Sequence, residues 1–141
     1  MIGKSEVMEL LLNACPSYKD RWKEYFNFNY GNGEEQLLYV DLGDFAGHLV
    51  DLYKKNELNE FNQVFDVVEL LHIDGDDFVK EAVTIGLLEG MQNIASNSGV
   101  NPDEFVRFLK PTSAKWWNNL NDFWSGKTEY VGGLYKKQDR K

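Results

Sequence analysis

Apolar side chains recur at intervals of three and four along most of the chain, and no stretch alternates with period two between hairpin turns. That periodicity predicts helices and no sheet. Val7, Met8, Leu10, Leu11 and Leu12 follow Ser5, which caps a first short helix that ends before Pro16. Ser17 with Asp20, then Trp22, Tyr25 and Phe26, mark a second helix, which stops at the turn Asn29-Tyr30-Gly31-Asn32-Gly33. A third runs from about Asp41 to Lys55 with Leu42, Phe45, Leu49, Leu52 and Tyr53 on one face and Asn56 as terminator. Asn59 caps a fourth, carrying Phe61, Val64, Phe65, Val68 and Leu71. Asp74-Gly75-Asp76-Asp77 breaks the pattern, and Asp76 or Asp77 caps a fifth helix through Val79, Ala82, Val83, Leu87, Met91 and Ile94, closed by Gly99.

Asn101-Pro102-Asp103-Glu104 starts a sixth, short helix with Phe105, Phe108 and Leu109, ended by Pro111. Thr112 or Ser113 caps the last, which holds Trp116, Trp117, Leu120, Phe123 and Trp124 and finishes at Ser125-Gly126. Residues 127–141 form a basic tail. The expected architecture is all-α: one domain over residues 1–126, of about seven helices packed as antiparallel hairpins.

With 141 residues, 43% of them hydrophobic, the chain has material for one sizeable core. Its net charge of -8 argues against nucleic acid and anionic membranes as partners. No apolar run approaches the roughly 18 residues a membrane helix needs, and Glu9 and Asn13 interrupt what would have to be a secretory signal. The expected location is cytoplasmic. Cys15, the single cysteine, forms no internal disulfide and reads as a buried spectator.

The charge is concentrated. Residues 31–110 hold 16 acidic side chains against Lys54, Lys55, Lys80, Arg107 and Lys110, whereas residues 111–141 hold six basic against three acidic. On the third helix, measured from Asp41 at 100° per residue, Asp44 falls at about -60°, His48 at about -20° and Asp51 at about -80°, beside the core face. Such a stripe either solvates the helix or receives lysines and arginines from a partner. Asp41, Asp44, His48 and Asp51, with Asp74, Asp76 and Asp77, are therefore the candidate partner contacts. Adjacent Trp116 and Trp117 point about 100° apart, so one anchors the core and the other, taken as Trp117, is offered to the partner.

Chemistry finds less support. A calcium loop opening at Asp74 would place Val79 where glycine is needed and Ile85 where a bidentate glutamate is needed. His48 and His72 have no second His or Cys at i+3 or i+4 to complete a metal face, and both read as hydrogen-bonded structural histidines. No Gly-flanked serine elbow and no phosphate-binding glycine loop is present. The expectation is a binding protein, not an enzyme, with no catalytic residue, metal or cofactor. Gly86 and Gly90, and likewise Gly43 and Gly47, are spaced four apart and read as points of close helix contact.

The run Tyr39-Val40-Asp41-Leu42-Gly43-Asp44-Phe45-Ala46-Gly47-His48-Leu49-Val50-Asp51-Leu52-Tyr53, followed by Val64-Phe65, Gly86-Leu87-Leu88-Glu89, Gln92-Asn93-Ile94 and Lys115-Trp116-Trp117, resembles an uncharacterised bacterial all-helical family. Its members look like small acidic immunity proteins of contact-dependent growth inhibition and related polymorphic toxin systems. The resemblance implies a cytoplasmic protein that binds a cognate basic toxin domain, often a nuclease, and occludes its active site. The alternative is a helical scaffold or adaptor that holds a peptide in an aromatic groove.

Overall fold

The computed structural model describes residues 1–124, and these form an all-α domain of seven α-helices: α1 (Lys4–Ala14), α2 (Lys19–Tyr30), α3 (Leu38–Lys54), α4 (Phe61–Asp74), α5 (Asp77–Ala82), α6 (Glu89–Asn97) and α7 (Pro111–Trp124). The expected helix end at Ser125-Gly126 and the basic tail lie outside the described residues. Short 3-10 turns at Pro16–Tyr18 and Pro102–Phe108 lead into α2 and α7.

Between α5 and α6 the chain stays helical through Val83–Leu88 but widens into π geometry, so that the Glu89 N–H reaches back to the Thr84 carbonyl. The fifth helix expected from sequence is therefore one continuous run with a widened middle. α3 lies along this run, and α4 packs between α1 and α7. Their shared core contains Leu11, Tyr18, Leu42, Phe45, Leu49, Phe61, Phe65, Leu71, Leu87, Leu88, Met91, Phe105 and Trp117.

Gly86 and Gly90 make the close approach of α3 possible. A Cβ on Gly86 would lie 3.1 Å from Leu42 Cβ and 3.2 Å from the Tyr39 carbonyl, and one on Gly90 would lie 3.3 Å from Ala46 Cβ. Burial against a neighbouring backbone offsets their poor helix propensity.

Several helix ends follow the local signals. Asp76 accepts from the Val79 N–H, Asn101 accepts from the Asp103 N–H, and Asn56 and Gly99 take left-handed conformations after α3 and α6. Others do not. Ser5 lies inside the first turn of α1, where Glu6 reaches back to the Gly3 N–H at 2.9 Å, and α4 starts after Glu60 instead of Asn59. Pro111 opens α7 instead of ending the preceding turn, as suits a residue with no N–H to leave unpaired. The N-terminus is tied down as well: Ile2 bonds in parallel to the α4–α5 corner, N–H to Asp74 O at 2.8 Å and O to Asp76 N at 2.9 Å.

Candidate functional site

The acidic stripe of α3 exists, but α2 covers it. Arg21 pairs with Asp44 at 3.3 Å and with Asp51 at 3.1 Å, and the Tyr18 hydroxyl donates to Asp44 at 2.7 Å. Tyr25 and Tyr30 both donate to Oδ1 of Asp41, which is only 1% exposed. Burial pushes the Asp41 carboxyl above its ordinary range, against the pull of the two tyrosine hydroxyls. Burial, then the same hydrogen bonds, push Tyr18 and Tyr25 upward too, so the phenols remain donors. Asp41 is thus withdrawn from the surface, and Asp44 is engaged within the chain. Asp51 remains exposed, though paired with Arg21.

His48 is buried and bonds through Nε2 to Ser17 Oγ at 3.0 Å. Ser17 Oγ donates its one hydrogen to Glu60, which also receives the Ser17 N–H at 3.0 Å. His48 Nε2 must then carry the proton in that bond. Burial lowers the His48 pKa, assisted by Arg21, and keeps the ring neutral. Cys15 also donates to Glu60, and burial raises its thiol to about 12, in keeping with an inert spectator.

The same arrangement recurs at the other end of α4. Glu69 accepts the Thr112 and Ser113 N–H groups and the Ser113 hydroxyl, each at 2.9 Å. Burial raises this carboxyl, but those donors outweigh it and hold Glu69 below its usual range. Ser113 Oγ, its hydrogen given to Glu69, accepts from His72 Nδ1 at 3.0 Å, while His72 Nε2 lies 3.1 Å from Thr84 Oγ1, whose hydroxyl donates to the Lys80 carbonyl at 3.1 Å. His72 is 3% exposed, and burial pushes its pKa down to about 4. Glu60, just before α4, and Glu69 within it thereby satisfy the first N–H groups of the Pro16–Tyr18 turn and of α7, each with a serine that a histidine backs. The expectation of hydrogen-bonded structural histidines holds for both rings. The expected cap of α7 by Thr112 or Ser113 is corrected: a carboxylate on another helix performs it.

Trp117 is fully buried and contributes to the core, whereas Trp116 is half-buried beside Lys115, whose Nζ lies 5.1 Å from its ring centroid. The sequence assignment of these two tryptophans is therefore reversed. An aromatic groove anchored by Trp117 loses its anchor.

Exposed apolar side chains include Phe28, Leu37 and Val40, and three more lie at the α4–α5 corner. Leu70 is 43% exposed, Ile73 60% and Phe78 45%. At 100° per residue Asp66, Leu70 and Ile73 fall within about 60° of one another on α4, on the side away from Leu71. Asp66 is exposed and pairs with Lys110 at 3.2 Å; Asp74 and Asp77 are exposed at the end of α4 and the start of α5. Asp76 is committed to its cap. Phe78 packs on Tyr39 with centroids 5.7 Å apart and lies under Lys4. The corner therefore offers apolar side chains rimmed by carboxylates, a composition that suits a protein interface. Leu70 and Ile73 were detectable in the sequence as apolar residues off the core stripe of α4.

Residues 8–125 match the family model described as "Domain of unknown function (DUF7674)". The chain belongs to that family. No curated protein and no solved structure matches it. The DUF7674 match spans α3, the acidic stripe, both glutamate clamps and the exposed corner, while the Ile2 bridge, the Gly3–Glu6 cap and Lys4 precede it. Among the described residues no helix of this DUF7674 protein is long and apolar enough to cross a membrane.

Proposed function

We propose that this protein is an immunity protein: it binds a cognate basic toxin domain and occludes it, without catalysing a reaction, in the cytoplasm of the cell that makes both. The observation that carries this reading is the α4–α5 corner, where Leu70, Ile73 and Phe78 stand exposed beside Asp74 and Asp77. Exposed leucine, isoleucine and phenylalanine supply the area a partner desolvates, and the carboxylates select a positively charged one. The net charge of -8 adds long-range attraction to a phosphate-binding active site. Asp74 and Asp77 are kept as contacts from the sequence analysis, Asp51 stands at the edge, and Asp41, Asp44, His48, Asp76 and Trp117 support the fold beneath.

The test is co-expression with a candidate toxin domain taken from the genes flanking this one. Protection of the host and a complex whose association slows as ionic strength rises are expected. Ile73→Lys with Asp74→Lys should abolish protection, while Asp41→Asn should preserve it. Survival unaffected by the corner substitutions removes the corner from the interface, and no protection by the native chain against any flanking toxin defeats the reading.

A further inference from the structure

Between the start of α1, residues 35–36 and the start of α3 lies a cavity of about 230 Å³. Met8 and Leu38 give it apolar walls, and Ser5 and Gln36 add uncharged polar groups. Two carboxylates, Glu35 and Asp41, share it with one cation, Lys4, so its lining carries an excess of negative charge. Lys4 does not neutralise either carboxylate. It forms no ion pair, and its ammonium lies over the ring of Phe78, a residue outside the lining, 5.8 Å from the centroid. The volume is below that of sites for drug-sized ligands and suits a ligand of a few heavy atoms.

Asp41 decides what this cavity can hold. It is 1% exposed, and a carboxylate so deeply placed ordinarily satisfies both oxygens. Here Tyr25 and Tyr30 both donate to Oδ1, and Oδ2 receives no hydrogen bond from any described group. The side-chain atoms sealed into the fold without a partner, among the described residues, are Trp117 Nε1 and Asn119 Oδ1. Oδ2 is not one of them, so it opens onto the cavity that Asp41 lines. One free oxygen also selects the donor. A guanidinium fork uses both oxygens of a carboxylate, and Oδ1 is already taken by two phenols, whereas an ammonium needs only one. Its other hydrogens have Ser5 and Gln36 as acceptors in the same lining.

We infer that this cavity binds a small aliphatic primary amine, its ammonium donating to Asp41 Oδ2 and its carbon stem resting on Met8 and Leu38. Burial penalises the charge on Asp41, and an ammonium at Oδ2 offsets that penalty. Methylenes laid against Met8 and Leu38 add the gain of leaving water. Glu35 at the rim attracts the same cation. The site is separate from the corner proposed to meet a toxin, although Lys4 reaches from its rim to Phe78.

The experiment titrates the full chain with n-butylamine, n-butylguanidine and 1-butanol at neutral pH and constant ionic strength, followed by 15N amide shifts. Saturable shifts at Met8, Leu38 and Asp41 are expected with butylamine, half-complete at about 1–10 mM, with butylguanidine and butanol each at least about tenfold weaker. Asp41→Asn keeps an acceptor for the two phenols and removes the charge, so it should weaken butylamine at least about tenfold while the melting profile stays intact. Lys4→Gln, at an exposed position, removes a like charge from the rim and should tighten butylamine about two- to threefold. Absence of saturable shifts with butylamine overturns the site, and butylguanidine or butanol binding as tightly overturns the role of the ammonium. Unaltered binding in Asp41→Asn overturns the assignment of the carboxylate. Weaker binding in Lys4→Gln overturns the sign of the ligand's charge, independently of the place of Asp41 in the fold. Because these outcomes do not involve a toxin, failure here is distinguishable from failure of the immunity reading.

Discussion

The guanidinium of Arg21 lies over Gly47: a Cβ at that glycine would sit 3.0 Å from Nη2. From this seat Arg21 reaches Asp44 on one side and Asp51 on the other, which are the positions three before and four after Gly47 on the same helix face. α2 and the turn before it are therefore fastened to α3 by one cation and three tyrosine hydroxyls set on three carboxylates. An exposed ion pair contributes only about 0–1 kcal/mol, so the less exposed tyrosine–aspartate bonds carry more of this attachment.

The glycines of α3 and its neighbour should respond oppositely to alanine. Gly47→Ala gains up to about 1 kcal/mol of helix propensity and displaces only the flexible end of Arg21, so a net stabilisation of about 0.5 kcal/mol is expected. Gly86→Ala drives a methyl against Leu42 Cβ and the Tyr39 carbonyl, neither of which can yield without moving α3, and should cost about 1–3 kcal/mol. Urea denaturation of the two variants measures both. Equal effects would mean that the helices separate more easily than their contact geometry implies.

Glu69 holds the first turn of α7 from a distance of 43 and 44 residues in sequence. Glu69→Ala removes the acceptor of two backbone N–H groups and one hydroxyl and should destabilise the protein by about 2–3 kcal/mol. In Glu69→Ala with Ser113→Ala the two losses should fall short of their sum, because both remove one shared bond. Hydrogen exchange should show the N-terminal amides of α7 opening first, and uniform loss of protection across all helices would contradict a local clamp.

Seven helical runs and most core positions could be read from spacing, because burial of one helix face imposes its period directly on the sequence; Tyr18, Val50 and Leu88 could not, and Trp22, Tyr25 and Phe26 of α2 are not buried. The acidic stripe at Asp41, Asp44 and Asp51 could be read as well; its occupant could not. Counting charges found too few lysines and arginines and pointed to an external partner, whereas Tyr18, Tyr25 and Tyr30 supply hydrogen-bond donors that carry no charge. Glu60 and Glu69 gave no local sign of their roles, since what they cap comes from other parts of the chain. Trp116 and Trp117 illustrate the same limit: helical geometry required that they diverge, but only the packing of α7 on α4 decided which one turned inward.

Asp41 should tolerate loss of charge better than loss of its oxygens. Asp41→Asn keeps an acceptor for Tyr25 and Tyr30 and relieves a carboxylate that burial disfavours, so stability should change by about 1 kcal/mol or less. Asp41→Leu strands two phenols and should cost about 2–4 kcal/mol, with faster hydrogen exchange in α2. Equal stability of the two variants, by thermal melting, would show that the tyrosines do not depend on this acceptor.

His72 should make the fold sensitive to mild acid. Its folded pKa, pushed down to about 4, lies below the ordinary value of 6.5, so between these limits the unfolded chain binds a proton that the native site resists. The contribution is fully present above pH 6.5 and is lost progressively as the pH falls towards 4, amounting to about 3 kcal/mol over the window. His48, also lowered, acts in the same direction, whereas the depressed Glu60 and Glu69 lose their contribution only below the ordinary carboxylate range. The difference between the native chain and His72→Gln isolates the imidazole: urea midpoints measured at intervals from pH 7.5 to 4 should fall more steeply in the native chain, the two curves converging towards low pH. Parallel curves would mean that His72 accepts its proton in the folded state, and with it a different set of hydrogens between Ser113 and Thr84.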